Sequence, residues 1–216
     1  MSSPLQAAIA DVHSLAETVW SNLASYCQGR EQTRILFTST EPGAGTTLVS
    51  AASALGLARN TRSEVTLVEA NLERPALGAY LGLGRAPGLG ELLEGQVSLQ
   101  ECLRRVPDTT SLTAVPAGAP RSAIAGEFAA TEAQDLLDSL AARGSVLLLD
   151  APPLLEHPET RALLRHVDAV VLVLRARASR KSEARRTLER IEEAGVEVLG
   201  SVLNRFKSEL PFGAED

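Results

Sequence analysis

The sequence predicts an α/β fold, a doubly wound and mostly parallel sheet flanked by helices and preceded by a long amphipathic helix. Three observations carry this. Runs such as Val146-Leu147-Leu148-Leu149 and Val170-Val171-Leu172-Val173-Leu174 are apolar on both faces, as strands buried on both sides must be. Helical stretches lie between such runs, and strands alternating with helices imply right-handed crossovers. The 216 residues, 44% apolar and 22% charged, suit one large α/β domain with a substantial core.

The elements follow in chain order. Leu5, Ala8, Ile9, Val12, Leu15, Ala16, Val19, Leu23 and Cys27 step by three and four, one stripe on a helix, with Ser3 as N-cap and Pro4 at its first position. Residues 1–30 are therefore set apart as an N-terminal helix that packs on the domain or on a partner, and 31–216 as the α/β domain. Trp20, on that helix, is expected in the core. Strands are expected at Arg34–Thr38, Glu64–Val68, Ser111–Val115, Ser145–Leu149, Ala169–Leu174 and Val196–Leu203. Helices are expected at Thr47–Arg59, Glu132–Ala142, Pro158–Arg165 and Arg180–Ala194, the last closed by Gly195.

Bulk properties exclude several classes. A formal charge of -6 disfavours a general nucleic-acid binder, although Arg177, Arg180 and Lys181 form a local basic group. Cys27 and Cys102 lack metal-site spacing and read as reduced, incidental thiols of a cytoplasmic chain. No apolar run approaches the roughly 20 residues of a spanning helix, so membrane association is expected through a partner.

Chemistry concentrates after the first strand. Thr40-Glu41-Pro42-Gly43-Ala44-Gly45-Thr46-Thr47 joins a strand to an apolar helix, the context a phosphate-binding P-loop requires. Gly43 and Gly45 permit the torsions that turn successive N–H groups inward as an anion nest. Thr47 takes the hydroxyl position that would ligate magnesium. Thr46 stands where the pattern wants lysine, and a lost charge-assisted hydrogen bond costs roughly 1.5–3 kcal/mol. The only lysines are Lys181 and Lys207. Some related ATPases carry another lysine early in the loop, and here that position is Glu41.

Val65-Thr66-Leu67-Val68-Glu69-Ala70-Asn71-Leu72-Glu73-Arg74-Pro75 resembles the second acidic motif of the bacterial tyrosine kinases of polysaccharide export, usually Asp-x-Asp-x-Arg-Arg-Pro. Pro87-Gly88-Leu89-Gly90-Glu91-Leu92-Leu93-Glu94-Gly95, Val115-Pro116-Ala117-Gly118 and Glu127 are similar to later family segments. Leu149-Asp150-Ala151-Pro152-Pro153 resembles its Walker B strand and Gly200-Ser201-Val202-Leu203-Asn204-Arg205 its last strand. The resemblance spans nearly the whole chain, in order, and implies a P-loop NTPase-like fold.

It also implies roles. Glu69, Asn71 and Asp150 occupy the catalytic positions, the first two altered; Gly43, Ala44, Gly45, Thr46, Thr47 and Asn204 occupy the nucleotide site; Thr47 and Asp150 would hold magnesium. Asp150 reads equally as a strand-end carboxylate capping a loop. Asn71 cannot act as a base. The only tyrosines are Tyr26 and Tyr80, so the family's C-terminal tyrosine cluster is missing, and Ser14, Glu17 and Trp20 stand where an early helix normally carries Glu-x-x-Arg-x-x-Arg. The expectation is a degenerate, pseudokinase-like regulator or scaffold of exopolysaccharide or capsule synthesis. It would act beside a membrane-spanning co-polymerase at the inner membrane, as a homo-oligomer or not, with weak ATP/ADP and magnesium binding or none. Two alternatives are an active ATP-dependent tyrosine autokinase, with Arg74 or a neighbour's Arg as cation, and a cell-division or partition ATPase. Against the latter stand Glu41 and the acidic end Glu215-Asp216.

Overall fold

The computed structural model describes residues 17–84, 87–122, 125–129 and 131–205. The expected cap at Ser3 and Pro4 lies outside them, as do Ser14 and the tail beyond Arg205. A helix over 17–27 (α1) leads into seven strands: β1 (Thr33–Ser39), β2 (Val65–Glu69), β3 (Arg104–Arg105), β4 (Leu112–Val115), β5 (Val146–Asp150), β6 (Ala169–Arg175) and β7 (Glu197–Asn204). They form one sheet ordered β3-β4-β2-β5-β1-β6-β7, parallel throughout except for the antiparallel β3–β4 pair. The expected doubly wound sheet is present. Each of the six expected strands lies within one residue of its expected bounds.

The longer connections are α2 (Thr46–Asn60), α7 (Thr131–Ala141), α8 (Pro158–Leu163) and α9 (Lys181–Glu193). Short α3 (Leu77–Leu81), α4 (Leu89–Leu93), α5 (Leu99–Cys102) and α6 (Ala125–Ala129) fill the remainder. Where one helix was expected over Pro158–Arg165, the chain tightens to a 3-10 turn at Leu164–His166. Gly195 closes α9 at φ 72°, where a glycine meets no Cβ penalty.

Alternation along the strands divides the core in two. Ile35, Phe37, Leu67 and Leu148 face α1 and α2; Leu36, Val68, Leu147 and Leu149 face α7, α8 and α9. α2 is buried along most of its length, with nine buried residues among its fifteen, so its N-terminus is held firmly under the loop that precedes it. Val19 and Leu23 bury α1 on the first face, and Trp20 lies against Gly56 of α2, where any Cβ would overlap its indole. Trp20 thus packs inside the domain, partly covered.

Parallel strands send their carboxyl ends to one edge. Two backbone bonds fasten that edge: the Ala70 N–H donates to the Asp150 carbonyl at 2.8 Å and the Ala151 N–H to the Phe37 carbonyl at 2.9 Å. β1, β2 and β5 therefore end together, which is where an α/β sheet carries its ligands.

Candidate functional site

The loop between β1 and α2 begins at Thr40. Gly43 and Gly45 both take positive φ, 78° and 94°, while Ala44 between them is fully buried. This leaves the backbone N–H groups of the first α2 turn unpaired within the helix, aligned with the positive end of its dipole. Both glycines thus take the left-handed torsions that an anion nest calls for. A side chain at Gly45 would collide with the Asn204 amide, whose Nδ2 donates to the Ala44 carbonyl at 2.8 Å. Asn204, at the end of the edge strand β7, clasps the loop from above.

Glu41 turns aside. Its carboxylate accepts hydrogen bonds from the hydroxyls of Ser179, at 2.6 Å, and of Thr40. Ser179 in turn accepts the Arg175 N–H at 2.7 Å, so the negative side chain at the early signature position is fixed to the turn after β6.

Beneath the loop two carboxylates sit on adjacent strands. Glu69 and Asp150 are paired in the β2–β5 register, and each is only 1% exposed. Glu69 is engaged by backbone: Oε1 accepts the N–H groups of Ala76 at 2.5 Å and Leu77 at 2.7 Å, and Oε2 accepts that of Ala117 at 3.1 Å. The extra methylene relative to Asp brings it within reach of these amides. The Thr47 and Ser50 hydroxyls lie near Asp150, that of Ser50 donating to the Thr47 carbonyl at 3.1 Å, and the Asp150 Oδ2 is buried without a partner. Burial first, and the neighbouring Glu69 charge second, push the Asp150 carboxyl up from 3.8 to about 8, against the pull of those two hydroxyls.

A divalent cation fits this pair. An orphaned, fully buried carboxylate oxygen beside a threonine hydroxyl is an oxygen donor set of the kind magnesium takes, completed by phosphate or water. Among the described residues no group of three His, Cys, Asp or Glu side chains could hold a metal alone.

One cleft joins these parts. It is lined by Gly43, Gly45, Thr46 and Thr47 on one side, by Asn71, Glu73, Arg74 and Tyr80 on another, and by Pro152, Pro153, Glu156, His157 and Arg205. Asn71 uses its Oδ1 to accept the Arg74 N–H at 3.2 Å, closing a turn at the end of β2. Of the candidate residues, Gly43, Gly45, Thr46, Thr47 and Asn71 line this cleft, whereas Ala44, Glu69, Asp150 and Asn204 are buried behind its wall. Ser50, Ser179, His157 and Arg205 were not among the candidates. The clue available for Arg205 was its place next to Asn204.

The resembling segments also interlock structurally. The Leu89 and Gly90 N–H groups donate to the Pro116 and Ala117 carbonyls, each at 2.8 Å, and Glu91 accepts the N–H groups of Gly88 and Ala119, each at 2.9 Å. Glu127 takes both terminal nitrogens of Arg121, at 2.8 and 3.2 Å, in a bidentate pair.

No protein-family model matches the chain. Curated relatives are bacterial proteins named as tyrosine-protein kinases. EpsB of Ralstonia nicotianae is 31% identical over 172 residues, covering 79% of this chain and 22% of that protein. Ptk of Acinetobacter johnsonii is 27% identical over 170 residues, covering 79% and 23%. The chain thus spans less than a quarter of the length of these two relatives. CapB of Staphylococcus aureus, 26% identical, is covered over 74% of its own length. Among solved structures, the kinase domain of VpsO superposes with a TM-score of 0.82 at 25% identity, covering 95% of this chain and 100% of that one. The septum site-determining protein MinD of Pyrococcus horikoshii, complexed with Mg-ADP, gives 0.70 at 22% identity, covering 82% and 72%, a likeness of fold alone.

Proposed function

Starting from homology to bacterial tyrosine-protein kinases, we propose that this chain is a degenerate, kinase-like regulatory or scaffold protein of exopolysaccharide or capsule synthesis and export. The observation that carries the reading is the disposition of charge around the loop. Phosphoryl transfer depends on positioning and on stabilising developing charge. Thr46 brings no cation to the nest, and the Glu69 carboxylate is turned onto three backbone amides behind the cleft wall. Asn71, bound to the Arg74 backbone, replaces an acid with a neutral amide.

In this reading the cleft keeps the shape of a nucleotide site with little of its reactivity. The partner is a membrane-spanning polysaccharide co-polymerase or chain-length protein, which would hold the domain at the inner membrane. No helix among the described residues is long and apolar enough to cross a membrane. The test is incubation with ATP and magnesium, followed by phosphotyrosine detection on the chain and on a co-expressed co-polymerase. No phosphotyrosine is expected beyond background. Robust labelling of either protein sinks the reading.

One observation favours the rival, an active autokinase. Thr47 and Asp150 retain a donor pair for magnesium, with one carboxylate oxygen still unmatched. The same labelling experiment separates the two.

A further inference from the structure

We infer that Arg205 supplies the counter-charge for nucleotide phosphates that the loop itself lacks, delivering it from the end of β7 instead of from the start of α2. The inference rests on the reading of the cleft as a retained nucleotide site, and the ligand class is a magnesium-bound nucleoside di- or triphosphate.

The need for a cation is physical. The nest offers backbone N–H groups and a helix dipole, which amount to about half a charge, against a polyphosphate carrying several. Thr46 contributes none. The second sign of a ligand is independent of the loop: the Asp150 Oδ2 is buried and unpartnered, on the strand that runs directly into Ala151 and Pro152 of the cleft wall.

Two arginines line the cleft, Arg74 and Arg205, and neither takes part in the ion pairs found among the described residues. They differ in how they are held. Arg74 follows Glu73, which lines the cleft too and offsets its charge. Arg205 is tied directly to the phosphate loop by one side chain. Asn204 donates through Nδ2 to the Ala44 carbonyl and accepts the Arg205 N–H on Oδ1, each at 2.8 Å. Residue 205 consequently takes a left-handed backbone, φ 59°, uncommon for a residue with a side chain and maintained here by that bridge. The end of the edge strand, the loop and the Arg205 backbone are thus joined through one side chain. With the backbone already held, only the arginine side chain remains to be ordered when a ligand binds.

Titration calorimetry of the whole chain with Mg-ADP tests this. The unmodified protein should bind. Arg205→Gln should weaken binding about ten- to a hundredfold, the loss of one charge-assisted hydrogen bond. Lys181→Gln, which removes an exposed cation outside the cleft, should change it by less than about threefold. Placing the charge back at its usual position, in Thr46→Lys/Arg205→Gln, should recover most of the loss, with circular dichroism confirming the fold. The inference is overturned by no Mg-ADP binding at millimolar concentration. It is also overturned by Arg205→Gln binding within threefold of the unmodified chain, or by a folded double variant that recovers nothing. Phosphotyrosine formation would bear on the scaffold reading alone and leave this comparison intact.

Discussion

Replacing Asp150 by Asn tests the electrostatics of the cleft floor. In the folded protein the Asp150 carboxyl is raised from 3.8 to about 8, burial being the larger cause and the Glu69 charge the next. The folded state therefore keeps a proton that the unfolded chain has released across that interval. Stability attributable to this group is fully present below 3.8 and declines as pH climbs toward 8, at about 1.4 kcal/mol per unit. At pH 7 the accumulated penalty reaches roughly 4 kcal/mol as an upper bound, since water entry and relaxation soften burial. Asn has the same shape and leaves the neighbouring Thr47 and Ser50 hydroxyls in place, but it carries no such penalty. Without nucleotide, Asp150→Asn should stabilise the fold at pH 7 by about 2–3 kcal/mol, or roughly 5–10 °C in Tm for a chain of this size. Thermal and urea unfolding, followed by circular dichroism between pH 5 and 9, provides the measurement. The parent should lose stability steadily from pH 5 to 8, whereas the variant should show a shallower decline. Stabilisation by Mg-ADP should be lost in the variant. A variant less stable than the parent at pH 7, or one with a parallel pH profile, would refute the reasoning.

Three other perturbations probe the same domain. Thr46→Lys alone should yield no autophosphorylation, because Asn71 and the position of Glu69 are unchanged; phosphotyrosine on immunoblots of this single variant would show that the remaining machinery is sound. Glu69→Ala removes the acceptor of three amide hydrogen bonds, those of Ala76, Leu77 and Ala117, and should cost about 3 kcal/mol or more in urea unfolding. A loss below 1 kcal/mol would mean that the carboxylate is not structural. Gly56→Leu places a side chain where the ring of Trp20 lies, and should displace α1 with a red shift in the emission of the chain's single tryptophan. Unchanged fluorescence would argue against that packing.

The fold was largely legible because the inner parallel strands, buried on both faces, write themselves as apolar runs; the edge strand β7, exposed at Glu197, Gly200, Ser201 and Leu203, still carries enough apolar residues to be read. β3 was missed: Arg104-Arg105 is two charged residues whose pairing with β4 comes from geometry, not from a pattern. Helices of four or five residues, such as Leu77–Leu81 and Leu99–Cys102, are too short to show a 3.6-residue period. At the site, Gly43, Gly45 and Thr47 were readable because their roles lie in backbone torsions and local order. The engagement of Glu69 was not, since its partners are amides 7, 8 and 48 residues away, and an amide has no sequence signature. Likewise the Asn204–Ala44 contact spans 160 residues and depends on the sheet closing first.

That clasp has a consequence for mutagenesis. A single carboxamide at the end of β7 both holds the Ala44 carbonyl and fills the space beside Gly45. Shortening it in Asn204→Ala would therefore reach the phosphate loop from a position 160 residues away, without altering any residue of the loop itself.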